Sequence, residues 1–199
     1  MTPQIIYPYA VKNQRYALDW PLTFDETLAE LTGMLIHNGK VARTENCIQV
    51  RNTSKFFNFE TRLGILLQKL NGTLDVRSRT WPGMFQQQAP RINNTQFTHT
   101  FLDMLECSRL EQLIGLEKVP RIVKESPLNI QKCFLDGYLA TCPNNFTVHE
   151  DKKYVVFVPY VESFVPDLVA MLQLLNVQCI PFKFYFLTDL GVDLETWNI

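Results

Sequence analysis

Apolar residues recur at helical spacing through Leu28, Leu31, Leu35 and Ile36, and the run closes on Gly39, well suited to the position just past a helix end. Thr23 and Glu26 have the spacing of a capping box, so the pattern predicts a helix starting there. "CIQVRN" then alternates as a strand does, with Ile48 and Val50 on one face and Cys47, Gln49 and Arg51 on the other. A second helix is predicted from Ser54 to a stop at Asn71-Gly72, followed by the alternating "TLDVRSRT". The period is lost in "WPGMFQQQAPRINN", which reads as a linker.

From Gln96 the helical period returns in short stretches that exit at Lys118-Val119-Pro120. Ser126 is predicted to cap a helix with Pro127 at its first position, running to Thr141. "NNFTVHEDKKYVVFVPY" reads as a hairpin turning near Glu150–Lys153, and "VPDLVAMLQLLNV" as a helix. "CIPFKFYFL" reads as a last strand with Phe182, Phe184 and Phe186 on one face. Helix, strands, helix and strand thus occur twice, with Gly33 and Gly137 standing 104 residues apart, and an internal duplication is the simplest account. The expected division is an arm (1–22), a first repeat (23–92), a linker with connecting helices (93–125) and a second repeat with a tail (126–199).

Composition narrows the class. At 199 residues, 46% apolar and 20% charged, the chain is expected to be globular, and no apolar run is long enough to span a membrane as a helix. The five cysteines form no C-x-x-C pair and fit no zinc-ligand spacing, so buried thiols in a reducing compartment are expected. The N-terminus has neither a secretory nor a transit pattern, which points to an intracellular protein of the cytoplasm or an organelle matrix. Neither a phosphate-cradling glycine loop nor H-E-x-x-H occurs, and no cofactor is implied.

Charge is unevenly spread. Residues 1–99 carry 11 Lys/Arg against 7 Asp/Glu, and residues 100–199 carry 8 against 13. Between Lys40 and Arg91 the count is 9 to 3, an excess that can attract an anionic partner even though the net charge is −1.

"LTGMLIHNG" (Leu31–Gly39) and "LDGYLATCP" (Leu135–Pro143) each align without gaps on the nine-residue motif of the LAGLIDADG homing endonucleases. "KVPRIVKESPLNIQKCFLDGYLAT" is similar to the approach to the second motif in intein-type and archaeal members, and the resemblance runs from Phe24 to Phe186. It implies an α+β fold of two pseudo-twofold-related αββαβ-like repeats, with paired central helices under a saddle of two antiparallel sheets. Gly33 and Gly137 would let those helices approach closely. Arg43, Gln49, Arg51, Lys55, Arg77 and Arg79 would face nucleic acid from the first repeat.

The family's chemistry requires an acid at the penultimate position of each motif to hold Mg²⁺ between the scissile phosphates. Those positions are Asn38 and Cys142, a neutral amide and a soft thiol, and Pro143 replaces the final glycine. The resemblance therefore implies a degenerate, catalytically inactive member with no metal site. One expectation is a binder of RNA or DNA within a ribonucleoprotein or other large complex. An alternative is a purely structural subunit that docks a protein through the acidic, apolar second repeat. A third is an active endonuclease or maturase with displaced acids.

Overall fold

A computed structural model of the chain describes residues 23–41, 48–50, 91–92, 95–109, 112–113, 116–142 and 144–189. The elements in order are α1 (Glu26–Asn38), β1 (Gly39–Val41), β2 (Ile48–Val50), β3 (Arg91–Ile92), α2 (Thr95–Met104), α3 (Arg121–Lys124), α4 (Leu128–Thr141), β4 (Asn144–His149), β5 (Lys152–Phe157), α5 (Phe164–Leu174), β6 (Cys179–Pro181) and β7 (Phe186–Thr188). The predicted helix from Ser54 and the strand at Thr73–Thr80 lie outside the described residues.

The centre of the molecule is α1 packed on α4, the most extensive contact between described elements. Asn129 Nδ2 donates to Glu26 Oε1 at 2.7 Å, joining the first turns, and Gly33 meets Gly137 half-way along. The helices therefore run parallel, and the chain leaves both at the same end, into β1 and β4. A Cβ on Gly33 would overlap the Phe134 carbonyl oxygen and lie 2.6 Å from the Tyr138 nitrogen. One on Gly137 would overlap the Glu30 carbonyl. Backbone touches backbone at this crossing, so no side chain fits between.

Around the crossing Leu28, Leu31, Leu35, Phe134, Leu135 and Leu139 are fully buried, each contributing about 1.5–3 kcal/mol. Tyr138 stacks between Phe134 and Phe164, with centroids 6.0 and 5.6 Å away, and so ties α4 to α5. Phe101, Leu102 and Met104 bring α2 into the same core, and Phe157 and Phe186 bring in the second sheet.

Both sheets are antiparallel, in the orders β1-β2-β3 and β4-β5-β7-β6. Four local expectations need correction. Asp25, not Thr23, caps α1, its Oδ1 accepting the Leu28 N–H at 2.9 Å, because it stands at the last non-helical position. Ser126 does not cap α4: its hydroxyl donates to the Ile122 carbonyl at 2.7 Å, closing the turn before, and Pro127 occupies the N-cap. Arg91–Ile92, in the presumed linker, pairs with β2. The presumed last strand is a hairpin of β6 and β7, turned where the Phe182 N–H donates to the Tyr185 carbonyl at 2.8 Å. Phe186 is consequently buried, whereas Phe182 and Phe184 are exposed, so the three do not share a face.

Candidate nucleic-acid interface

The parallel helices deliver two chain ends to one place. Asn38 is the last residue of α1, and Cys142 is the C-cap of α4, its N–H donating to the Tyr138 carbonyl at 3.0 Å. Cys142 has turned to extended backbone (φ −74°, ψ 135°) and is only 3% exposed. Burial pushes its thiol far above the usual range, with a hydrogen bond to the Val158 backbone acting in the opposite sense. Burial likewise raises the Tyr138 hydroxyl, which is hydrogen-bonded to the Tyr160 backbone. The sulfur thus sits as a neutral thiol beneath the segment that follows β5.

In the first sheet, register brings together residues far apart in sequence. Gln49 pairs with Lys40 on one side and Arg91 on the other. Ile48 pairs in the same way with Val41 and Ile92. Successive rows alternate between the faces of a pleated sheet, so the row Lys40–Gln49–Arg91 is set apart from the row Val41–Ile48–Ile92.

The second sheet is different. Phe157 and Phe186 are paired and face the core, their rings 5.6 Å apart, which puts Asn145, Val156, Leu187 and Ile180 in a row on the opposite face. Leu187 is buried and Val156 and Ile180 are half-buried. At the end of this sheet nearest the α4 exit, Val158, Tyr160, Phe182 and Phe184 are exposed.

No protein-family model matches the chain, and no curated protein matches it in sequence. Solved structures do match. The structure of I-DmoI in complex with DNA and Mn superposes with a TM-score of 0.56 at 16% identity, covering 87% of this chain and 97% of that one. Mesophilic variants of the homing endonuclease I-DmoI give 0.54 at 15% identity over 87% and 93% of the two chains. The N-terminal LAGLIDADG domain of DUF199/WhiA gives 0.51 at 14% identity over 91% and 85%. The chain has the LAGLIDADG fold.

Asn38 and Cys142, at the ends of the two packed helices, are the positions at which the sequence resemblance expects an acid. The Asn38 side chain lies outside the described set, but the donor at the α4 end does not fit a hard divalent cation. It is a buried, protonated sulfur where such an ion needs an open, charged oxygen. Asp136, the one carboxylate in Leu135–Pro143, lies nearly two turns back in α4, 3.1 Å from the Lys132 ammonium. Among the described residues, no group of three or more His, Cys, Asp or Glu side chains is placed to hold a metal.

Of the residues singled out for nucleic-acid contact, Gln49 is in β2, while Arg43, Arg51, Lys55, Arg77 and Arg79 lie outside the described residues. Lys40 and Arg91, not singled out from the sequence, are the residues that pair with Gln49. Both belong to the basic Lys40–Arg91 segment, so charge counting contains them, but only strand pairing puts them beside Gln49. Among the described residues no helix is long and apolar enough to cross a membrane.

Proposed function

We propose that this protein is a nucleic-acid binder built on a LAGLIDADG fold whose strand-cleaving chemistry has been lost. The observation that carries the loss is Cys142, buried and protonated at the end of α4 where the family's chemistry calls for an acid. The basic excess of the first half and the row Lys40–Gln49–Arg91 support binding, and a DNA complex of the similarly folded I-DmoI supports the same reading. Arg43, Arg51, Lys55, Arg77 and Arg79 extend this contact, by phosphate neutralisation above all. Gly33 and Gly137 keep the two halves locked at the helix crossing. The working place is a reducing intracellular compartment, within a ribonucleoprotein or similar assembly.

The test is binding of purified protein to structured RNA and duplex DNA across a salt series with Mg²⁺, followed by a denaturing gel. Salt-sensitive binding with intact strands is the expected result, and the polymer bound more tightly is the natural partner. Replacing Arg77 and Arg79 by Ala should weaken that binding and flatten its salt dependence. Cut strands would falsify the loss of chemistry.

A second reading, a subunit that docks a protein, draws on Leu128, Val148 and Leu174, large apolar side chains exposed in the acidic half. Failure to bind either polymer at low salt would leave this reading in place.

A further inference from the structure

The turn between β6 and β7 exposes aromatic rings that the core does not use. Phe182 and Tyr185 stack with centroids 4.5 Å apart and planes 13° from parallel. The Lys183 ammonium lies 4.8 Å from the centre of the Phe184 ring and 3.8 Å from Glu162. Phe184 is 54% exposed and Tyr160, two residues before Glu162, is 75% exposed. The position is fixed by the sheet. Asn144, just after α4, pairs with Phe157, which pairs with Phe186, which pairs with Pro181. The turn and the 158–162 segment therefore lie at the end of the second sheet nearest the α4 exit.

We infer that the Phe182–Tyr185 turn, with Tyr160, is a stacking platform for unpaired nucleotides. The inference deepens the nucleic-acid reading above and rests on it. Ring faces bind π surfaces with little regard to sequence, and a neighbouring ammonium serves the phosphate that accompanies each base. A duplex hides its base faces in its own stack, so these rings have nothing to bind on it. Unpaired bases offer those faces. The turn is also firmly anchored, because Phe186 beside it is fully buried and the Phe182–Tyr185 hydrogen bond closes it. The first sheet would hold phosphates through Lys40 and Arg91, and this turn would hold bases that have left a helix.

The experiment measures the affinity of the full chain for labelled oligothymidylate, oligouridylate and a DNA duplex, beside a Phe182→Ala/Phe184→Ala variant. Both positions are exposed, so the fold should survive, and circular dichroism checks it. We expect the double variant to lose tenfold or more on single strands and to stay within twofold on the duplex. Phe184→Trp should retain single-strand affinity and Phe184→Leu should not, which separates ring stacking from apolar contact.

Unchanged single-strand affinity in the double variant overturns the platform and leaves its aromatic surface to a protein partner. Equal losses on all three polymers, or full binding by the leucine variant, also overturn it. If the parent chain binds duplex but no single strand, the platform falls while the nucleic-acid reading stands. If it binds none of the three, the platform falls, and the nucleic-acid reading falls with it when structured RNA is also left unbound.

Discussion

In the first sheet the row Lys40–Gln49–Arg91 carries two cations and an amide; in the second, the row Asn145–Val156–Leu187–Ile180 carries one amide and three aliphatic side chains. By register, the two sheets thus bring together rows of different residue types. The helix pair between them keeps its close contact through Gly33 and Gly137, whereas the α4 end has closed over a thiol. The frame is closely packed, while the end of α4 presents a buried thiol in place of a charged oxygen. The two sets of residues answer to different physics, since packing is set by volume and metal binding by hard, solvated charge.

The largest effect should come from the frame that both sheets share. Gly137→Leu would drive a side chain into the Glu30 backbone, and we expect it to destabilise by about 3 kcal/mol or more. Gly33→Leu should do the same. Urea midpoints measure both, and a clear inequality between them would break the symmetry of the crossing.

Next comes Cys142→Asp, which returns an acid to a closed site. A carboxyl there has its pKa raised above the unfolded value of about 3.9, so the variant's stability relative to the parent is best below that pH and declines as the pH rises through the folded pKa. We expect a loss of about 2–4 kcal/mol at neutral pH. An unchanged midpoint at pH 7 would mean that the α4 end opens freely to water.

Lys40→Gln with Arg91→Gln should lower duplex affinity about tenfold and reduce the salt slope by about 2. Val156→Thr with Ile180→Thr should leave both within error. Equal losses from the two pairs would erase the contrast between the sheets.

The smallest effect is alkaline. Burial, ahead of nearby carboxylates, raises the Cys133 thiol to about 11, and burial does the same for Cys179. Their protons are held more tightly folded than unfolded, so this stabilisation is complete below about pH 9 and fades as the pH climbs toward 11. Cys133→Ala with Cys179→Ala should flatten that decline in a series of urea midpoints.

Much of this was legible in the chain because it is local. The period of Leu28, Leu31, Leu35 and Ile36 gives α1 its buried face, and the polar tip of "VHEDKK" marks the turn between β4 and β5. That turn uses Glu150 and Asp151 at positive φ (48° and 62°). The β6–β7 hairpin was not legible, because "PFKFYF" contains neither glycine nor asparagine and reads as one apolar strand. The caps were misread by a short distance, since Thr23 and Ser126 have the right chemistry but their neighbours hold the right backbone position. The row Lys40–Gln49–Arg91 could not be read at all. Arg91 reaches β2 only through pairing between strands more than 40 residues apart, and nothing in its local sequence signals that.

The hydrogen bond between Glu26 and Asn129 spans 103 residues. During synthesis at about 5–20 residues per second, α1 therefore waits about 5–20 s for the helix that covers it. For that interval Leu28, Leu31 and Leu35 lack the helix they pack against, because synthesis is far slower than chain closure. Burial of the apolar face of α1 against α4 is then completed only when α4 emerges, and a nascent chain stopped before Leu128 lacks that cover.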